Sequence, residues 1–222
     1  MANIWDSLDV TGRTVLDVGV GNSTRALIGK GVRRVIALDV DRGKVKSLKS
    51  ELAGYDNVDL VCSDASSIPL RGKAVDVAVL YFVLHEVNPK VHGKVVSGVK
   101  RVARRVIVVE PAPAGCEAYN LFARLWREAM HSVGSYEDYK PAEYWVRLLV
   151  NAGISVVRCE SIVQDNMLGL EELKAIINET ADEWARKGVK KDLINELKRV
   201  LDLARERGFK WSDLVVVVGV AD

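Results

Sequence analysis

The chain has 222 residues, with 32 Lys and Arg against 30 Asp and Glu, a formal net charge of +2, and 49% hydrophobic residues. That length suits one domain with a sizeable core, and the net charge is too small to argue for nucleic acid by itself; the local basic cluster at 99–105 reads as a helix end ahead of a buried strand. No apolar run approaches the roughly 20 residues that span a bilayer, and the three cysteines (Cys62, Cys116, Cys159) lack paired spacing, which points to reduced thiols and neither a disulfide framework nor a zinc site.

The opening segment MANIWDSLDV carries no charged-then-apolar signal pattern, so the expected location is cytoplasmic. Strands are then predicted at 14–18, 34–39, 58–62, 75–81 and 105–109. They are short, β-branched and almost continuously apolar, as central strands covered on both faces should be. Helical patterns fall between them at 24–30, 42–52 and 89–102. Alternation of this kind predicts an α/β fold, a doubly wound Rossmann-like sheet with helices on both faces. Further on, CEAYNLFARLWREAMHSVG and PAEYWVRLLVNAG read as helices, the second with Pro141 at its start and Gly153 past its end. Strands at 154–162 and 214–220 complete seven mostly parallel strands. Before the last strand lies a charged helical insertion, 166–210. Its apolar residues Leu173, Ile176, Ile177 and Trp184, then Leu193, Ile194, Leu197, Val200 and Leu201, are spaced for two amphipathic helices broken at Gly188. The expected arrangement is an αα-hairpin covering the sheet; a substrate lid or a homodimer contact is the alternative. The whole reads as one domain, 1–222, with a ligand-binding half at 10–112 and helical cover or oligomer elements at 113–153 and 166–210. The single glutamine, with abundant Val, Glu, Lys and Arg, leans towards a thermophilic source.

Ligands in such sheets bind at the carboxyl ends of the strands, near the reversal of strand order. The rim there begins with VLDVGVGNST, residues 15–24. Gly19 and Gly21 suit a ligand that approaches backbone closely, but a dinucleotide fingerprint needs a third glycine where this chain has Thr24. A carboxylate at Asp17, at the mouth of that turn, would repel a pyrophosphate on the helix N-terminus. It would be welcome beside S-adenosylmethionine, which carries an ammonium and a sulfonium and no phosphate. Asp39, with Val40 next to it, ends the second strand, where a carboxylate can accept from both ribose hydroxyls; Asp41 reads better as a helix N-cap. Asp64 ends the third strand, where it can accept from an adenine amino group while the Ala65 N–H meets the ring, or simply cap a short turn.

VLDVGVGNST, VIALDVD, CSDASSIPL and AVDVAVLYFVLHEV resemble, in order and spacing, the class I S-adenosylmethionine-dependent methyltransferases, most of all the small-molecule branch that includes the ubiquinone/menaquinone-biosynthesis type. The resemblance covers about 10–112 well and EYWVRLLVNAGISVV loosely. It implies that Asp17, Gly19 and Gly21 surround the methionine part, that Asp39 holds the ribose and Asp64 with Ala65 the adenine, and that Tyr81 faces the sulfonium. The family's third glycine falls on Ser23, and the insertion before the last strand is unusual for the family.

The methyl group of such a donor is already activated, so alignment is the main demand and a base is needed only if the acceptor must lose a proton. His85 is the candidate catalytic base, with packing or capping as its structural alternative. His131, Tyr136, Tyr139 and Tyr144 are weaker candidates. Glu110 could touch substrate or satisfy backbone ahead of Pro111 and Pro113. The residues after the fourth strand, YFVLHE, are not the Asn/Asp-Pro-Pro-aromatic motif of many nucleic-acid and glutamine methyltransferases, and no Pro-Cys pair follows. A small-molecule acceptor is therefore favoured, with S-adenosylmethionine as cofactor, S-adenosylhomocysteine as product and no metal. An RNA or protein methyltransferase, a non-catalytic donor-binding partner protein and a nicotinamide-dependent oxidoreductase are the competing readings. Trp126, Trp145, Trp184 and Trp211 could line an apolar pocket or pack the added helices.

Overall fold

The computed structural model describes residues 4–221, apart from the side chain of Asp6. In chain order the elements are α1 (Ile4–Ser7), β1 (Thr14–Val18), α2 (Asn22–Gly29), β2 (Arg34–Asp39), α3 (Arg42–Glu51), β3 (Val58–Cys62), β4 (Val75–Tyr81), α4 (His92–Val102), β5 (Ala103–Pro111), α5 (Glu117–Ser132), α6 (Ala142–Asn151), β6 (Ser155–Ile162), α7 (Leu170–Lys187), α8 (Lys191–Arg207) and β7 (Leu214–Val220). The seven strands form one sheet in the order β3-β2-β1-β4-β5-β7-β6. All neighbours are parallel except β7, which runs antiparallel to both β5 and β6. Strand order reverses between β1 and β4, which puts the switch point of the sheet beside the glycine-rich turn.

Because side chains alternate along a strand, the sheet has two cores. Leu16, Val18, Ala78, Leu80, Val106 and Val108 pack under α4 and α6, with Trp145 and Leu149 as the large α6 residues. Val15, Val77, Val79, Ile107 and Val109 face the other side, against Leu27 of α2 and Ile4 and Trp5 of α1. α1 was not foreseen; four residues are too short to show a helical period.

The insertion takes the predicted two-helix form, with Gly188 in the left-handed conformation at the break (φ 83°). Its packing differs from the expected cover over the sheet. α7 and α8 pack with α5 into a third core containing Phe122, Leu125, Met130, Leu173, Trp184, Leu197 and Val200. The sheet faces are already filled by α1, α2, α4 and α6, so the apolar faces of α5, α7 and α8 meet one another. The helix predicted at 89–102 divides into a 3₁₀ turn at Pro89–Val91 and α4. Among the described residues no helix is long and apolar enough to cross a membrane.

Candidate functional site

Two cavities lie side by side at the carboxyl ends of β1, β2, β3 and β4. The first, about 660 Å³, is bordered by the turn after β1 (Gly19, Val20, Gly21), by Asp39 and Val40 after β2, by Asp64 and Ala65 after β3, and by Tyr81, Phe82 and Glu86 after β4. Of the residues singled out from the sequence for this role, seven border it and Asp17 does not. Its charged border comprises Asp39, Asp41, Asp64 and Glu86 against Lys44.

Asp17 is fully buried beneath the turn, which corrects its expected place at the mouth. Its Oδ2 accepts from the Thr24 hydroxyl at 2.6 Å and the Ser23 hydroxyl at 3.0 Å, while Oδ1 has no partner. Thr24 Oγ1 in turn accepts the Gly21 N–H at 3.2 Å. The two residues that replace glycine in the dinucleotide and methyl-donor patterns, Thr24 and Ser23, are therefore hydroxyl clamps on Asp17. Burial pushes the Asp17 carboxyl up to about 7, against the lowering effect of those hydroxyls. Gly19 sits at φ 86°, and a Cβ there would lie 2.6 Å from Val83 Cγ2, so both conformation and space demand glycine.

Asp39 is held by two backbone donors: Oδ2 accepts from Val20 at 3.0 Å and Oδ1 from Asp41 at 2.8 Å. These bonds fix the carboxylate while each oxygen retains a further lone pair. Asp41 caps α3 as predicted, accepting from Gly43 at 2.7 Å and Lys44 at 3.1 Å. Asp64 caps the 3₁₀ turn Ala65–Ser67 through Oδ1, which accepts the Ser66 N–H at 2.6 Å, and this bond holds its carboxyl below the usual range. Val40 stands at the rim, 70% exposed.

The second cavity, about 740 Å³, is walled by aromatic rings: Trp5, Tyr81, Phe82, Phe122, Trp126 and Trp211 among them. Trp126 and Trp211 thus line a pocket, whereas Trp145 and Trp184 are core residues. Tyr81 stacks on Phe82 with centroids 4.4 Å apart and meets Trp5 at 4.9 Å. Phe82 has φ 56°, a conformation unfavourable for a bulky residue by about 1–2 kcal/mol. Its N–H bonds to the Val109 carbonyl at 2.9 Å, which holds it there. Tyr81, Phe82 and Glu86 border both cavities.

The polar end of the aromatic cavity is a chain of buried groups. Glu110, with no exposed surface, accepts from the Val83 and Leu84 N–H groups at 3.1 and 2.7 Å and bonds His85 Nδ1 at 2.5 Å. Glu110 therefore does satisfy backbone, that of the turn carrying His85. His85 Nε2 lies 3.6 Å from Glu137 Oε1, and its ring stacks on Tyr139 at 5.5 Å. Burial opposes the imidazolium, but the Glu110, Glu137 and Glu86 charges outweigh it and hold His85 at about 9. Burial pushes Glu137 up to about 7, with His85 and the Tyr139 hydroxyl opposing. Polar atoms of His85, Glu86 and Glu137 lie within 4.8 Å of one another.

A second histidine supports this turn. His92 Nε2 meets the Leu84 and Val87 carbonyls at 2.9 Å each, and Nδ1 meets the Tyr144 hydroxyl at 2.9 Å. Tyr144 is therefore a support residue. His131 and Tyr136 are exposed and border neither cavity. Glu137 was not singled out from the sequence. It lies in SYEDYK, a polar segment between α5 and α6 that reads as an exposed loop, and it turns inward where the Asp138 N–H bonds the His85 carbonyl at 2.9 Å.

A methyltransferase-domain family model matches residues 16–106. A demethylmenaquinone methyltransferase of Clavibacter sepedonicus is 29% identical over 122 residues, 52% of this chain and 49% of that protein, so the chain spans about half the length of this curated relative. Among solved structures, the YcgJ protein of Bacillus subtilis is similar with a TM-score of 0.65 at 17% identity, covering 98% of this chain and 95% of that one. A methyltransferase of Aquifex aeolicus gives 0.55 at 18%, covering 96% and 84%. The [4+2]-cyclase SpnF gives 0.64 at 18%, covering 95% and 75%. At such identities these structures share the fold, and the cyclase among them illustrates that function has to be argued from the site.

Proposed function

We propose that the chain is a class I S-adenosylmethionine-dependent methyltransferase that binds this donor in the acidic cleft and transfers the methyl group to a small molecule held in the aromatic cavity; the methyltransferase-domain match over residues 16–106 and the demethylmenaquinone methyltransferase relative support this reading. The observation that carries the proposal is the common wall: Tyr81, Phe82 and Glu86 belong to both cavities, so a ligand in each would meet there. The sulfonium supplies an activated methyl group, and what remains for the protein is to align acceptor atom, methyl and sulfur.

The residues present fit the donor. Four carboxylates against one ammonium at the cleft border suit a cationic ligand without phosphate and oppose a dinucleotide. Gly19 and Gly21 give the methionine arm access to backbone. Asp39, already oriented, accepts from the ribose hydroxyls. Val40 covers one adenine face, and Asp64 Oδ2 with the Ala65 N–H reads the adenine edge. Asp17, from behind the turn, holds its shape through Ser23 and Thr24. Tyr81 faces the sulfonium. The aromatic lining of the second cavity supports a small acceptor over an RNA or protein segment, and Tyr119, Phe122 and Trp126 on its border support α5 as part of its cover, with α7 and α8 packed against α5.

The test is Asp39→Ala, titrated with S-adenosylmethionine and S-adenosylhomocysteine. Loss of the two ribose contacts should weaken both ligands about tenfold or more, with far-UV circular dichroism unchanged. Equal affinity in wild type and variant would remove Asp39 from the site.

A further inference from the structure

We propose that the acceptor is an aromatic hydroxyl compound, and that Glu137 takes the hydroxyl proton while His85 holds the oxygen that receives the methyl group. This rests on the donor and acceptor cavities assigned above.

The walls argue for a ring. Eight Phe, Tyr and Trp rings border the space, among them Trp5, Tyr81, Phe82 and Trp211, and flat aromatic ligands pack on such walls in stacked or edge-on contact. No Lys or Arg borders the cavity among the described residues, and the one cation there, His85, already faces Glu137 and Glu110, so the site offers little net positive charge to a carboxylate or phosphate on the acceptor.

The polar end argues for a hydroxyl. His85 Nδ1 is committed to Glu110, which also accepts from two backbone N–H groups. Nε2–H is therefore the donor that His85 has left, and it points to the region of Glu137. The 3.6 Å separation of Nε2 from Glu137 Oε1 is too long for a good hydrogen bond. A donor and an acceptor thus stand side by side at the end of an aromatic slot. A hydroxyl answers both, accepting from His85 and donating to Glu137. An ammonium has no lone pair for the imidazolium, and a carboxylate has no proton for Glu137.

Charge fits the same chemistry. The groups that face Glu137 are His85, Tyr139, Glu86 and Glu110. With Glu137 poised at about 7 and His85 cationic to about 9, a carboxylate base stands beside a fixed cation at neutral pH. In the transfer the O–H proton passes to the Glu137 carboxylate, and an oxygen lone pair forms the O–CH₃ bond. The CH₃–S bond breaks with its electron pair going to sulfur, giving the aryl methyl ether and S-adenosylhomocysteine. Glu137 then returns the proton to water.

Three probes of one ring system test this: 2-naphthol, 2-naphthylmethylamine and 2-naphthoate, titrated into the full chain saturated with S-adenosylhomocysteine. The proposal expects 2-naphthol to bind about tenfold or more tighter than the other two. With labelled S-adenosylmethionine the product should be 2-methoxynaphthalene, formed with a rate that rises with pH through about 7. E137Q should keep its affinity for S-adenosylhomocysteine, lose the preference for the naphthol, and fall in turnover by about 100-fold or more, with E137D partly restored. Preference for the amine or the acid, methylation on ring carbon, or an E137Q variant as active as wild type would each overturn it. Failure of the wild type to bind S-adenosylhomocysteine would instead strike the proposed function itself.

Discussion

Asp17 carries an ionisable group where water does not reach it, and this has a consequence for stability. A carboxyl whose pKa rises from 3.8 to about 7 on folding binds its proton more tightly in the native state. Its contribution is full below the ordinary carboxyl pKa and is lost as the pH climbs through 7. Asp17→Asn should therefore be more stable than wild type by about 1–2 kcal/mol at pH 8 and show no such gain at pH 4, in denaturant titrations at the two values. A wild-type advantage at pH 8 would mean that the ionised form is solvated by something other than Ser23 and Thr24. His85 follows the same rule at higher pH. Its pKa is raised on folding, so its stabilisation is complete below about 6.5 and is lost as the pH rises through about 9. His85→Ala leaves Glu110 buried without its cation and should cost about 3 kcal/mol or more near pH 7. A neutral outcome in thermal melts would show that the two backbone N–H groups alone suffice for Glu110. Both residues were singled out from sequence, Asp17 as a ligand contact and His85 as a base; what the sequence does not reveal is which neighbours share their burial.

Elements were legible to the degree that their burial follows a period. The strands carry unbroken β-branched runs because both faces are covered, and such runs have few other readings. The insertion was legible as two helices because its apolar residues recur at helical spacing and Gly188 interrupts them. Its partner was not legible: an amphipathic stripe says that a face is buried, not against what, and the stripe of α7 and α8 meets α5. For the same reason Glu137 escaped notice, since a lone acid in a polar loop becomes significant only when the loop folds in over His85. At Gly188 a Cβ would meet nothing within 4 Å, yet φ is 83°. Gly188→Ala should thus lose about 1 kcal/mol from conformation alone, lowering the thermal midpoint by a few degrees without touching donor affinity. Gly19→Ala combines the same conformational penalty with the clash against Val83 and should weaken donor binding as well. If the two variants behave alike, the glycine turn after β1 is only a helix start.

At the scale of the molecule, the sheet sets two cavities against one wall. Parallel strands with a reversal between β1 and β4 open a cleft, and the acids at three successive strand ends give it its charge. The helices α1 and α5 and the segment before α6 then add an aromatic cavity around the end of β4. Each wall is made by a different part of the chain, which is why the border of the acidic cleft follows local motifs while the aromatic cavity required the assembled fold. The central claim is that the acidic cleft takes a cationic methyl donor. The most direct measurement is a calorimetric titration of the full chain with S-adenosylmethionine, S-adenosylhomocysteine and NAD in parallel. The account predicts binding of the first two at one site per chain and no heat from NAD. Saturable binding of NAD, with none of the other two, would contradict it.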